Sequence, residues 1–218
     1  LGRDYKLVLK NGLSTYDSII GGVAAKKVPA LTDRKWVDAC AVKLFGDSMW
    51  LRPDGRKTGG SSYFPGNTIE EQQEEITRTI VELHRMGYQI GIHSTGGCGI
   101  DTIVDAYVKA MELYPGKNLR HFVIHGDDFL EDNMKKCAKN HIVLSSQAVA
   151  PWGFMESLVD CVDPEEPSHM FDYQRFMDNG VVVSQGSDAP CMTVNWLMGL
   201  KFAMTRTTVS GTCYNRGN

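Results

Sequence analysis

The sequence predicts an α/β fold in which parallel strands alternate with helices, and three observations carry that expectation. Short β-branched or apolar runs of strand length recur along the chain. Longer segments with helical periodicity separate them. The runs are too apolar to leave one face wet, which favours a parallel sheet flanked by helices over an antiparallel one.

Five runs are the candidate strands: AVKLF (41–45), YQIGIH (88–93), HFVIH (121–125), HIVLSSQ (141–147) and VVVSQGSD (181–188). Between the first two lies NTIEEQQEEITRTIVELHRMG, the best-marked helix of the chain. Asn67 or Thr68 caps it, acidic residues fill its first turns, Ile76, Ile80 and Leu83 form an apolar stripe, and Gly87 ends it. DTIVDAYVKAMELYPG repeats the pattern and stops at Pro115-Gly116, and LEDNMKKCAKN and HMFDYQRFMDNG follow the third and fourth strands.

No internal repeat and no Pro/Ser-rich linker divides the 218 residues, so they are expected to form one domain, 1–218, with a lead-in over 1–40. A hydrophobic content of 42% with a net charge of −3 offers no basic field for nucleic acid. No apolar run approaches the roughly 18 residues of a membrane span, and the N-terminus lacks the apolar core of a signal peptide, so the expected compartment is the cytosol. The six cysteines form no C-x-x-C pair and are expected to be reduced core or loop residues.

Functional residues are expected where the strands end, because the C-terminal ends of parallel strands share one face. Lys43 sits within AVKLF, His93 closes QIGIH, His125 closes HFVIH and Asp188 follows VVVSQGS. Singly, each has an ordinary structural reading: a hydrogen-bonded histidine, a lysine snorkelling from an edge strand, an aspartate capping a turn. Jointly they are nitrogen and oxygen ligands suited to zinc or a similar divalent ion.

The pieces VKLFGD (42–47), IGIHSTGG (90–97), LRHFVIH (119–125), LSSQ (144–147), VVVSQGSDAP (181–190) and AMTR (203–206) together resemble the amidohydrolase superfamily. Within it they resemble the metal-dependent hydrolase branch (amidohydrolase family 3) that includes N-substituted formamide deformylase. The resemblance implies a (β/α)8 TIM barrel with one or two divalent metals, zinc by preference, at the strand ends. By position it makes Lys43 the lysine that can be carboxylated, His93 and His125 metal ligands, and Asp188 both a ligand and the proton shuttle. Hydrolysis of an amide-type C–N bond in a small molecule, by a metal-activated water, is the implied reaction. Gln147, Trp152 and His169 are candidate substrate contacts; for Trp152 ordinary packing beneath a loop is an equal reading.

Departures from the pattern shape the expectation. The first barrel strand of the family carries an H-x-H pair, and the histidines here, at 84, 93, 121, 125, 141 and 169, include none. Gly97 and Ile124 stand where aspartate and glutamate are frequent in the family. The matched pieces run from about the fourth to the eighth barrel strand, so this is expected to be a partial barrel and a fragment, whose open edges call for another segment or another copy of the chain. Two further readings stay open: an α/β binding module without metal, and a phosphate or nucleotide site in the glycine-rich HSTGGCG loop between strand and helix. His121 lies four residues before His125, shares its strand parity and is expected to fill the barrel interior.

Overall fold

A computed structural model describes residues 16–17, 19–20, 41–47, 64–159 and 170–214. The lead-in over 1–40 and His169 lie, almost entirely and entirely, outside the described residues.

Five strands, β1 (Ala41–Phe45), β2 (Gln89–Ser94), β3 (Phe122–His125), β4 (Val143–Ser146) and β5 (Val183–Gln185), form one sheet in the order β1-β2-β3-β4-β5. Every neighbouring pair is parallel. The helices are α1 (Ile69–Arg85), α2 (Gly97–Leu113), α3 (Glu131–Lys139), α4 (Val149–Val159), α5 (Tyr173–Asp178) and α6 (Trp196–Thr205). This is the α/β alternation read from the sequence, and a sheet whose neighbours in chain order are neighbours in space is the arrangement of a partial barrel.

The first helix forms as its sequence dictates. Thr68 Oγ1 accepts the Glu71 N–H at 3.2 Å, and the Glu71 carboxylate reaches back to the Asn67 N–H at 2.6 Å. Two of the donors that a helix start leaves over are satisfied by this exchange. Gly87, at a φ of 89°, provides the left-handed stop. Ile76, Ile80 and Leu83 are buried, as the stripe requires. Two helices carried no clear start signal: α4 begins inside AVAPWGF, which reads as a loop, and α6 has only Asn195, whose side chain accepts the Leu197 N–H.

One face of the sheet is dry. Val42, Leu44, Ile90, Ile92, Val123 and Leu144 pack against Ile80, Leu83, Ile103, Tyr107 and Met134 of the helices. The other face is half-buried, which corrects the expectation that neither face is wet. Its positions include Lys43, Gln89, His93, Ser145 and Ser184, so polar residues alternate with apolar ones and the β-branched average hides them. Gly91 lies on this face, where an added Cβ would come within 2.2 Å of the Phe122 ring.

Candidate functional site

The ends of β1, β2 and β3 bring three of the sequence-derived residues together. Register pairs Lys43 with Gly91 and Phe45 with His93, so Lys43 and His93 stand on the same half-buried face. The Lys43 Nζ lies 4.7 Å from the centre of the Phe45 ring, which in turn lies 5.4 Å from the His93 ring. His125 meets His93 edge-on, with ring centres 4.4 Å apart.

That last contact contradicts strand parity, and the backbone explains how. Register pairs His125 with Ser94, a residue buried on the helix side, so regular alternation would point the imidazole into the helices. His125 instead adopts a φ of 74°, in the left-handed region uncommon for a side-chain-bearing residue, and Gly126 follows at 67°. The turn carries the ring over to the His93 side. Asp188 has the same conformation, at a φ of 54°, just past β5.

His121 keeps regular alternation and so does not fill a barrel interior. It is fully buried in the helix layer, stacked on Tyr107 and hydrogen-bonded to His84 at 2.8 Å. Shared parity put the two histidines on one side; they part because His125 leaves the alternation that His121 keeps.

The electrostatics keep both candidate ligands neutral. Burial, the nearby His125 and the Lys43 charge together push His93 down to about 3. Burial and Lys43 lower His125 as well, while the Asp188 carboxylate and the Gln147 amide pull the other way. A neutral imidazole has a free lone pair, the form in which histidine binds metal. The His93 Nε2 is buried and has no hydrogen-bond partner. Such an orphan is costly unless something coordinates it, so this part of the site fits a cation. Other parts do not add to the set: among the described residues no group of three or more His, Cys, Asp or Glu side chains is placed to hold a metal, and Asp188 is exposed. Gln147 is buried beside the site with its Oε1 unpartnered. Trp152, on α4, packs against the core cluster.

Three carboxylates that were not among the candidate residues lie next to the site. Asp47, two residues past β1, is buried and accepts hydrogen bonds from the Thr95 N–H and Gly96 N–H at 2.9 Å each and from Ser94 Oγ at 3.1 Å. Burial still pushes it up to about 6. Asp127 and Asp128 follow His125; burial raises both, and Asp47 adds to the rise at Asp127. Asp47 closes the motif VKLFGD, whereas Asp127 and Asp128 lie just past the end of LRHFVIH, and only Lys43 and His125 of these two pieces stood as candidate site residues. The same carboxylates explain HSTGGCG. An added Cβ at Gly99 would lie 2.4 Å from Asp47 Oδ2, and one at Gly97 2.9 Å from Asp128 Oδ2. The glycines admit two carboxylates to the start of α2, which leaves that loop a poor cradle for a phosphate.

A model of the amidohydrolase family matches residues 12–218. The chain belongs to the amidohydrolase family. Among curated proteins, the chain is 27% identical over 139 residues to the "Putative amidohydrolase YtcJ" of Bacillus subtilis (strain 168), a match covering 61% of the chain and 25% of that protein. Two solved structures share its fold, both uncharacterized metal-dependent hydrolases. The one from Pyrococcus horikoshii OT3 has a TM-score of 0.58 at 17% identity, covering 78% of this chain and 34% of the other. The one from Pyrococcus furiosus has a TM-score of 0.56 at 16% identity, covering 76% and 34%. The chain thus spans between a quarter and about a third of the length of these relatives.

Proposed function

We propose that this amidohydrolase chain is part of a metal-dependent hydrolase acting on an amide-type C–N bond of a small molecule. The observation that carries the reading is the neutral His93–His125 pair at the sheet's C-terminal edge, with the His93 Nε2 buried and unpartnered. His93 and His125 would hold a divalent ion, zinc by preference, and Lys43 would join them once carboxylated. Carboxylation replaces a cation that depresses both histidines by an anion that favours a cation between them. When bound, the metal supplies Lewis-acid polarisation and an activated water.

The chain's own residues then have defined tasks. Asp188, exposed at the rim and close enough to raise the pKa of His125, accepts the proton of the attacking water and returns it to the leaving nitrogen. Gln147, whose side chain lies against His125 and donates from Nε2 to the Ser145 carbonyl, presents its amide oxygen to a substrate N–H. The remaining ligands and the remaining strands of an eight-stranded barrel belong, on this reading, to a segment outside this chain. The relative sizes support it. We place the protein in the cytosol; no helix among the described residues is long and apolar enough to cross a membrane.

The test is metal analysis of the purified chain, expressed with whatever upstream sequence its gene encodes. Stoichiometric zinc, manganese or iron that disappears in His93→Ala and His125→Ala supports the reading; metal-free protein that stays metal-free under zinc titration ends it. A second reading, a metal-free α/β binding module, draws on the lack of a three-ligand cluster among the described residues. The same titration separates the two.

A further inference from the structure

We infer that Asp47 is a positioning residue for the candidate site: its carboxylate fixes the turn between β2 and α2, and with it the strand end that carries His93. The inference rests on the metal-centre reading for its functional meaning, though not for its geometry. The Gly46 N–H donates to the His93 carbonyl at 2.9 Å, and one residue later Asp47 gathers Ser94 Oγ, Thr95 N–H and Gly96 N–H. Four hydrogen bonds therefore run from the end of β1 to four consecutive residues of β2 and its turn. The next strand continues the lacing, since Gly126 N–H donates to the Ser94 carbonyl and Asp128 N–H to the Thr95 carbonyl.

Capping a helix does not require this arrangement. The amides Asp47 accepts from, those of Thr95 and of the N-cap Gly96, precede the first turn of α2, whereas a capping side chain at Gly96 would serve the amides within that turn. The acceptor comes from β1, the strand that carries Lys43, so the bonds tie the Lys43 strand to the His93 strand. Gly99 leaves the space that this approach needs. The carboxylate is held although burial disfavours its charge, a cost that a local cap on the surface would avoid. Groups behind metal-binding histidines orient them, and their loss typically lowers metal affinity by about 10 to 100-fold.

The experiment compares the unsubstituted chain with Asp47→Asn, Gly99→Ala and the remote core control Ile80→Val. Zinc affinity is read by chelator competition, and imidazole nitrogen resonances are read by NMR on the metal-free chain. Asp47→Asn is expected to lower zinc affinity about tenfold or more and to shift the His93 resonances while those of His84 and His121 stay. Gly99→Ala, which crowds the carboxylate without removing it, should shift His93 in the same way, and Ile80→Val should not. Unchanged His93 resonances in folded Asp47→Asn, or a change matched by Ile80→Val, overturn the inference. Unfolding of both Asp47→Asn and Gly99→Ala overturns it too, because Asp47 would then serve stability alone. If the unsubstituted chain takes up no zinc, the metal reading fails, and the His93 resonances still decide the role of Asp47.

Discussion

His93 and His125 face one another because a single residue leaves the strand conformation. The left-handed φ of His125 costs backbone energy, on the order of 1 kcal/mol for a side-chain-bearing residue. Strain of that kind persists where the surroundings impose it, and here it delivers an imidazole to the face that Lys43 and His93 occupy. Sequence spacing gave no sign of it: HFVIH reads as plain alternation, and the following glycine was the only available hint. Gly91 offers a second test at the residue scale. Its missing Cβ makes room for the Phe122 ring, so Gly91→Ala should destabilise the chain by about 1–3 kcal/mol, the usual cost of overpacking. Urea unfolding of the two proteins measures it.

The elements are held by polar contacts as specific as their apolar stripes. The N-cap of α1 was readable from Asn67, Thr68 and Glu71, and Thr68→Ala should cost about 1 kcal/mol in chemical denaturation. A less visible lock joins α1 to β2, β3 and the end of α2. Ile90 N–H donates to His121 Nδ1 at 3.0 Å, so the proton of His121 sits on Nε2 and is donated to His84 Nδ1. His84 in turn donates from Nε2 to the Tyr114 carbonyl at 3.0 Å. His121 cannot take up another proton without losing its bond from Ile90. Burial pushes His121 down to about 3, with the His84 neighbour adding to it, from an ordinary value of 6.5. The unfolded chain therefore binds a proton that the fold refuses, and the stability from this group, present above about pH 6.5, is lost as pH falls towards 3. The loss is on the order of a few kcal/mol. Asp47, raised to about 6, acts in the opposite sense, favouring the fold as pH falls from 6 to 4. His121→Gln keeps an acceptor for Ile90 and a donor for His84 without titrating, so its denaturation midpoint should fall less between pH 6.5 and 4 than that of the unsubstituted chain. An equal fall in both would remove the histidine lock from the account.

At the scale of the whole molecule, strand order and parallel pairing were legible, because both follow from local pattern: apolar runs separated by helical stripes. The membership of the amidohydrolase family was legible for the same reason, since its motifs sit at the ends of those runs. What was not legible depends on through-space packing. Asp47 acts on residues nearly fifty positions away, Trp152 turned out to pack on a helix against the core, and the half-wet face follows from which residues share a side of the sheet. On the proposed reading, the two neutral histidines with one unsatisfied nitrogen are part of a ligand set that a carboxylated Lys43 and a segment outside this chain complete. Zinc titration followed by calorimetry, on the protein extended by its upstream coding sequence, tests that claim most directly. The account predicts one or two zinc ions per chain, with affinity reduced at least about tenfold in His93→Ala and in His125→Ala. Saturable zinc binding that survives both substitutions, or no binding at all, would contradict it.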